Sequence, residues 1–254
     1  MNAYLQERVP QLKHGTNVAH ELSLMYWAYV GRPLSSLSDV CKAYGLKATK
    51  KTGGSIAPAT LKNRIRYLTA ACRYGWKHHA MCETDPAARV TVPTVRNERT
   101  IFIDRKQMIQ LARACKHSDT RKIIRIAFYS GMRTSEILKA EISGTAFVLR
   151  DSKNGDARIV PIHRKINTCL TFKKPTRFAL AYHFGNARKA VDMEWLHIHD
   201  LRHSAASAMI NEGIDLYTVG AVLGHRSQQS TKRYSHLATD KLREAIGRIG
   251  KKAA

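Results

Sequence analysis

The sequence is short of acidic residues, of cysteines and of long apolar runs, and each shortage excludes a class of protein. Its five cysteines are odd in number, scattered and never spaced as CxxC, which excludes a disulfide framework and a cysteine-based zinc site. No apolar run approaches the ~18 residues that a membrane span needs, and no hydrophobic leader segment follows Met1. We therefore expect a cytoplasmic protein with no membrane partner.

The surplus of basic residues is the strongest compositional signal. The 254 residues include 43 Lys and Arg against 19 Asp and Glu, a formal net charge of +24. The excess is +8 over residues 1–98 and +16 over residues 99–254, so it is not confined to a tail. A surface of this charge repels itself unless an anionic polymer neutralises it, which predicts a polyanion as partner.

Length and patterning predict two domains. A single core stops growing at about 250–300 residues, and the hydrophobic content of 44% with 24% charged residues excludes wholesale disorder. Helical periodicity is lost over ARVTVPTVRNERT, which indicates an extended linker. We predict a helical domain over residues 1–92, a linker over 93–99 and a second domain over 100–254.

Three helices are predicted in the first domain, Asn17–Val30, Ser38–Lys47 and Ala59–His79. In the last of these, apolar residues recur at steps of three and four and line up one buried face. Basic residues fall off that stripe, and each has a structural alternative as an ordinary solvated charge. Together they predict a face that contacts a polyanion: Lys62, Arg66, Arg73 and Lys77.

The second domain is predicted to be mainly helical with one small β-hairpin. Strands over Ala146–Arg150 and Ala157–Ile162 flank Asn154-Gly155, a strong hairpin turn signal. Helices are predicted over residues 104–116, with Asp104 as cap, and over Thr120–Ser130, Glu136–Ala140, Leu201–Asn211, Leu216–Leu223 and Ala238–Ile249. The pattern predicts a mainly α chain with an α+β second domain.

Four short segments of the second domain carry chemically versatile residues. They read GMRTSEIL at 131–138, DSKNGDARIVP at 151–161, HDLRHSAAS at 199–207, and LGHR at 223–226 followed by YSH at 234–236. In this order they resemble the arginine box, the lysine hairpin, the His-x-x-Arg box and the nucleophile region of the tyrosine recombinase, or phage integrase, family. The motifs extend over about residues 99–240, whereas residues 17–90 are similar to the family's helical core-binding domain only in general character.

The resemblance implies a role for each matching residue. Tyr234 would attack a DNA phosphorus and give a 3′-phosphotyrosine and a free 5′-hydroxyl, which conserves bond energy and requires no cofactor. Arg133 and Arg202 would clamp the non-bridging oxygens, because a guanidinium binds two phosphate oxygens at once. His199 and His225 would bind the same phosphate or carry the tyrosine proton. Lys153 would protonate the departing 5′-oxygen.

Several residues have alternative interpretations. Lys153 is also typical of an ordinary loop charge, with Arg150 or Arg158 as substitutes for its role. His199 and His203 have the HxxxH spacing of a zinc helix, but no glutamate follows His199 and no third ligand stands out, so no metal is predicted. The remaining aromatic and imidazole candidates are assigned to packing or to the surface: His203, Tyr182, Tyr217 and His236.

The family resemblance implies an assembly as well as an activity. It implies two domains that form a C-shaped clamp on double-stranded DNA, and a homotetramer on synapsed sites that exchanges the segment containing Ala238–Ile249. It implies site-specific recombination for phage or mobile-element integration and excision, at the nucleoid and with possible directionality or DNA-bending factors. The alternatives are type IB topoisomerase-like relaxation, or a non-catalytic DNA-binding protein on a degenerate recombinase fold.

Two departures from the family pattern modify these expectations. Residues 162–198 form a shorter connection between the hairpin and His199 than the family commonly has, which predicts a trimmed helical insert. The chain also begins almost directly with the first predicted helix, so no arm-binding domain is expected.

Overall fold

The chain divides into two compact units, Met1–Asn97 and Glu98–Ala254. The computed structural model describes residues 1–50, 52–95, 99, 101–150, 158–225, 227, 229–235 and 246. Over these residues both units are mainly helical, and the second unit contains a three-stranded antiparallel sheet. The predicted fold class, mainly α with a small β element, is confirmed.

Within its described residues, the first unit has four α-helices and shorter helical turns at Tyr4–Arg8, Val9–Gln11 and Leu34–Ser36. The α-helices are α1 (Gly15–Ser23), α2 (Tyr26–Tyr29), α3 (Leu37–Lys47) and α4 (Pro58–His79). Side chains from three of them fill the core, with Leu22, Tyr44 and Leu68 at most 1% exposed.

The predicted helix Asn17–Val30 is wrong as a single element. The chain breaks between α1 and α2, where the Met25 N–H bonds to the Leu22 carbonyl three residues earlier. This tighter turn buries Met25 completely while Tyr26 and Trp27 remain 57% and 50% exposed. The apolar residues Leu22 to Val30, interrupted only by Ser23, do not reveal such a break, because apolar residues suit either a helix or a buried turn.

The second unit begins with α5 (Arg105–Ala114), α6 (Ser118–Ser130) and α7 (Thr134–Ile137). The sheet follows, with β1 (Glu141–Ser143), β2 (Ala146–Leu149) and β3 (Arg158–Pro161). After a helical turn at Arg164–Cys169 come α8 (Arg177–Lys189), α9 (Asp200–Asn211), α10 (Leu216–Leu223) and α11 (Gln229–Lys232).

Local capping explains where the predicted helices of this unit begin. Asp104 caps α5 as predicted, because its carboxylate accepts from the Gln107 N–H at 2.7 Å. Helix α6 begins two residues earlier than predicted, because the His117 imidazole accepts from the Thr120 N–H at 3.2 Å and caps the helix. Helix α7 begins after Arg133 instead of at Glu136 and is only four residues long.

The sheet has the order β1-β2-β3 and is antiparallel throughout, with Phe147 opposite Val160. Strand β1 was not predicted, because its three residues are all exposed and give no apolar alternation. It turns into β2 through Gly144, whose φ of +55° favours glycine. The predicted hairpin turn at 151–157 and, except for Ile246, the predicted helix Ala238–Ile249 lie outside the described residues.

Helix α6 is the centre of the second unit. Ile123, Ile124 and Ile126 are completely buried and pack in one core with Leu201 of α9. Burial of this much apolar surface fixes the end of α6 beside α9. A smaller cluster holds Tyr234 against α9 and α10, with its other members being Ala206, Ile210, Val219 and Leu223.

Candidate active site

Arg133 lies at the turn between α6 and α7. Helix α6 ends at Gly131, which has a left-handed φ of +63° and so little room that an added Cβ would lie 2.6 Å from Leu223. Two residues later, the Arg133 N–H donates to Glu136 Oε2 at 2.8 Å and its Nη1 donates to Glu136 Oε1 at 2.7 Å. The tight turn therefore leads directly from a buried helix to a partly exposed guanidinium.

Glu136 is a buried carboxylate surrounded by arginines. It accepts from Arg158 Nη2 at 2.6 Å and lies 3.8 Å from Arg202 Nη1, in addition to its bonds with Arg133. Burial alone would raise the pKa of this carboxyl, but the N–H of Arg133 and the charges of Arg158 and Arg133 hold its pKa below the ordinary value. Among the described residues, the one negative charge of Glu136 thus faces three guanidiniums, which leaves this cluster positive.

Arg202 is almost fully buried, with 3% of its surface exposed. Its Nη1 donates to the Gly131 carbonyl at 2.8 Å and its Nη2 donates to the Leu223 carbonyl at 2.6 Å. These carbonyls lie at the C-terminal ends of α6 and α10, where helices leave acceptors without partners. Burial, followed by the charge of Arg133, lowers the pKa of Arg202 to about 9, so the side chain remains a cation at neutral pH.

His199 stands at the N-terminus of α9 and is exposed. The next residue, Asp200, is 1% exposed and accepts two hydrogen bonds from Arg99, at 3.1 and 2.8 Å. This ion pair fixes the start of α9. Although His199 has exposed surface, the protein around its ring and then the charges of Arg202 and Arg133 lower its pKa.

His225 follows Gly224, which ends α10 with a φ of +66°. Arg158 packs closely against this turn and donates to the Val222 carbonyl. The Nδ1 of His225 lies 2.8 Å from Thr231 Oγ1, which fixes the orientation of the ring. Burial, followed by the neighbouring arginine charges, lowers the pKa of His225 to about 4, so the ring is neutral at neutral pH.

Tyr234 is a buried phenol, 5% exposed, just beyond α11. Its hydroxyl oxygen lies 2.6 Å from Nδ1 of His203 on α9. Burial raises the pKa of Tyr234, while the charges of Arg233 and Arg202 partly oppose that rise. The phenol is therefore protonated at neutral pH and needs a proton acceptor before it becomes a strong nucleophile.

Five of the six predicted catalytic residues lie in one neighbourhood: Arg133, His199, Arg202, His225 and Tyr234. The charges of Arg133 and Arg202 both act on the two histidines, and the charge of Arg202 also acts on Tyr234. The sixth, Lys153, lies outside the described residues. The arrangement combines fixed cations, neutral imidazoles and a phenol. Cations of this kind can bind a phosphate, imidazoles can donate or accept a proton, and a phenol can act as the nucleophile.

Sequence comparison finds one family to which the chain is similar. The phage integrase family matches residues 176–241, the part that holds four of these five residues. Tyrosine recombinase XerA of Saccharolobus solfataricus is 29% identical over 227 residues, which cover 82% of this chain and 73% of that protein. A tyrosine recombinase of Thermosipho africanus is 23% identical over 88% of this chain and 89% of its own length. The chain contains a phage integrase segment and is similar over most of its length to tyrosine recombinases.

Solved structures agree with this similarity at the level of the fold. The integrase of transposon Tn1549, solved with transposon right end DNA, is 15% identical with a TM-score of 0.70, covering 98% of this chain and 97% of that one. A lambda integrase dimer bound to a COC′ core site is 14% identical with a TM-score of 0.70, covering 92% and 76%. The chain therefore shares its fold with these two integrases.

The basic residues predicted on α4 are not equivalent. Arg66, Arg73 and Lys77 are exposed and Lys62 is half-buried. The Arg73 guanidinium forms a bidentate pair with Asp85, with Nη2 and Oδ2 2.7 Å apart. Arg73 is thus already engaged within its own unit, whereas Arg66 forms no ion pair among the described residues.

Three residues of the site were not singled out as functional in the sequence. Glu136 gave a weak signal, since it stands three residues after Arg133 in a capping position. The sequence suggests Arg158 only as a substitute for Lys153, whereas in the structure it bonds to Glu136. The sequence favours a packing or surface role for His203, and its contact with Tyr234 joins residues 31 positions apart that no local pattern connects.

Two further findings concern the described residues as a whole. No cluster of three or more His, Cys, Asp or Glu side chains within them is arranged to hold a metal ion. Each helix that they form is too short or too polar to cross a membrane.

Proposed function

We propose that this chain is a site-specific DNA recombinase that cleaves and rejoins DNA strands through a 3′-phosphotyrosine intermediate on Tyr234. The observation that carries the proposal is the convergence of two arginines, two histidines and this tyrosine in one cluster of the second unit. Similarity to the family supports the reaction class, and the geometry supports the assignment of residues to it.

The charge of the cluster supports a phosphodiester as its ligand. Three guanidiniums share the single buried carboxylate of Glu136, and their mutual repulsion contributes to the lowered pKa of Arg202. An anion bound at Arg133 and Arg202 relieves that repulsion. Because the developing charge of a phosphoryl transition state lies on the non-bridging oxygens, fixed cations there stabilise it more than the ground state.

The proposed reaction balances without an external energy source. The Tyr234 oxygen forms a bond to phosphorus and loses its proton, while the bond from phosphorus to the 5′-oxygen breaks. The 5′-oxygen takes up a proton from Lys153, the proposed general acid. A 5′-hydroxyl from another strand then attacks the phosphotyrosine and reverses these steps, which rejoins DNA in a new combination.

The two units have separate proposed tasks. Residues 1–92 form a core-binding domain that contacts DNA through α4, residues 93–99 form a linker, and residues 100–254 form the catalytic domain. Together they would clamp duplex DNA in a C shape. The net charge of +24 supports extensive contact with the phosphate backbone.

The proposed assembly is a homotetramer on two synapsed sites, with exchange of the segment that contains Ala238–Ile249. A lambda integrase tetramer bound to a Holliday junction, 15% identical with a TM-score of 0.66, supports this by analogy of fold. The biological task that we propose is integration and excision of a phage or mobile element at the nucleoid, with accessory directionality or DNA-bending factors.

A suicide substrate tests the proposed function. The protein first selects its binding site from a pool of randomised duplexes. The selected site is then synthesised with a nick near the scissile phosphate, so that the short fragment carrying the 5′-hydroxyl diffuses away after cleavage and religation fails. We expect a covalent protein–DNA adduct on a denaturing gel. Tight binding without any adduct would instead favour a non-catalytic DNA-binding protein, and relaxation of plasmids regardless of sequence would favour a topoisomerase.

A further inference from the structure

His203 and Tyr234 form a buried polar pair beside the proposed phosphate site. His203 is 9% exposed and Tyr234 is 5% exposed, and Nδ1 of the imidazole lies 2.6 Å from the phenol oxygen. His203 lies one turn after His199 on α9, and the two rings meet edge to face with their centroids 5.2 Å apart. The imidazole therefore stands between the reacting oxygen and a residue of the phosphate site.

The protonation states determine the direction of this hydrogen bond. The pKa of His203 is lowered to about 4, mainly by burial. The nearby His199, Arg233 and Arg202 contribute to this lowering, and the charge of Asp200 partly opposes it. A neutral imidazole whose Nδ1 accepts carries its proton on Nε2. Because burial also keeps the Tyr234 phenol protonated, the hydroxyl donates and the imidazole accepts.

We propose that His203 is a further catalytic residue, which holds the Tyr234 hydroxyl at Nδ1 and takes its proton as the oxygen bonds to phosphorus. This inference rests on the proposed recombinase function. In the step, the O–H bond of Tyr234 breaks, the oxygen–phosphorus bond forms, the phosphorus–5′-oxygen bond breaks, and His203 becomes an imidazolium. On the return step the imidazolium gives the proton back to the departing phenol oxygen.

A weakly basic imidazole can still accept the Tyr234 proton, because the acidity of that proton changes during the reaction. Before attack, the tyrosine proton is too tightly held for His203 to remove it. As the oxygen shares its electrons with phosphorus, its proton becomes strongly acidic, so the transfer becomes favourable within the transition state. The imidazolium then forms beside a phosphate that carries negative charge, which stabilises it.

The other two site histidines are less suited to this task. His225 already directs its Nδ1 to Thr231 Oγ1. Within the described residues, Tyr234 hydrogen-bonds to His203 and not to His199. The competing interpretation is that His203 only satisfies a buried hydroxyl. The two interpretations differ in one property, since a structural acceptor need not be basic whereas a proton acceptor must be.

His203→Asn separates the two interpretations, because an asparagine oxygen can accept at the position of Nδ1 but cannot take up a proton. The substrate is the nicked site with sulfur in place of the scissile 5′-oxygen, since a thiolate leaves without a proton and cleavage then reports the attack of Tyr234 alone. We expect wild type and the control His163→Asn to form adduct at similar rates. We expect His203→Asn to be slower by about 100-fold or more with unchanged DNA affinity.

An adduct rate for His203→Asn within about threefold of wild type would overturn the catalytic role of His203. Absence of adduct with wild type itself would overturn the recombinase function instead. If His203→Asn does not fold, as judged by loss of its thermal transition, the solvent deuterium isotope effect on wild-type cleavage of the sulfur substrate decides. Slower cleavage in D2O supports proton transfer during the attack, and an unchanged rate overturns it.

Discussion

Glu136 and Arg158 form a buried ion pair, with 2.6 Å between Oε2 and Nη2, and each side chain is at most 13% exposed. The pair joins α7 to β3, and the same carboxylate also binds Arg133. A proposed phosphate-binding arginine is therefore positioned by a buried carboxylate. Breaking a buried pair leaves the partner charge uncompensated, so the site and the fold depend on the same residue.

Glu136→Gln should reduce stability in a pH-dependent manner. Because the folded protein lowers the pKa of Glu136, its ionisation stabilises the fold above the unfolded pKa of about 4.3, and that contribution is lost as pH falls through the folded value. Urea unfolding should show a loss of about 3 kcal/mol at pH 7 that shrinks below pH ~4.

The matched control for that change is Glu141→Gln, which breaks the exposed pair between Glu141 and Arg150. Its cost should be less than about 1 kcal/mol at neutral pH. An equal loss for both variants at pH 7, or a Glu136→Gln effect that does not vary with pH, would contradict the assignment of Glu136 as an ionised centre of the cluster.

Arg133→Lys should slow DNA cleavage while leaving DNA affinity nearly unchanged. Lysine keeps the positive charge but cannot bind two phosphate oxygens through a planar fork. We expect the rate of adduct formation to fall by about 100- to 1,000-fold. Arg113→Lys, at an exposed position of α5 in the same unit, is the control and should react like wild type. Parallel losses of affinity and rate in Arg133→Lys would argue for a binding role alone.

Lys153→Ala tests the proposed general acid. With an ordinary nicked substrate we expect cleavage to fall by about 100-fold or more, because the departing 5′-oxygen needs a proton. With the 5′-sulfur substrate the variant should recover to near the wild-type rate, because a thiolate leaves without protonation. Equal slowing on both substrates would show that Lys153 is not the general acid, and another residue, such as Arg150, would then be the candidate.

Arg66 and Arg73 provide a matched pair on α4 of the first unit. Arg66→Gln should weaken DNA binding and lower the slope of log affinity against log salt by about 0.9, as expected for one lost phosphate contact. Arg73→Gln should leave that slope unchanged and instead lower the thermal midpoint, since Arg73 already pairs with Asp85. Binding titrations over a series of salt concentrations measure both slopes, and the reverse pattern would reassign the DNA-contacting face.

Local signals were sufficient for most helices and for the catalytic residue types. Asp104 signals the start of α5, and Gly131 and Gly224 signal the ends of α6 and α10. These signals lie next to the helices in the sequence, so the prediction needed no tertiary information. His199 and Arg202 are three residues apart and therefore share the start of one helix. The break before α2 and the exposed strand β1 escaped prediction, because packing and a single glycine turn decide them.

The supporting residues of the site escaped prediction for a different reason. Glu136 pairs with Arg158, 22 positions away, and His203 hydrogen-bonds to Tyr234, 31 positions away. Each residue alone is typical of an ordinary helix charge or a core histidine. Only the folded chain brings the members of each pair together, because the pairing depends on how α7, α9 and β3 pack.

The most direct test of the central claim compares wild type with Tyr234→Phe on the nicked suicide substrate. The variant lacks only the hydroxyl, so folding and DNA affinity should be retained, and a mobility-shift assay verifies the latter. We predict a covalent protein–DNA adduct on a denaturing gel for wild type and none for Tyr234→Phe. An equal yield of adduct from the two proteins would contradict the account, because the phosphoryl group would then be carried by another residue.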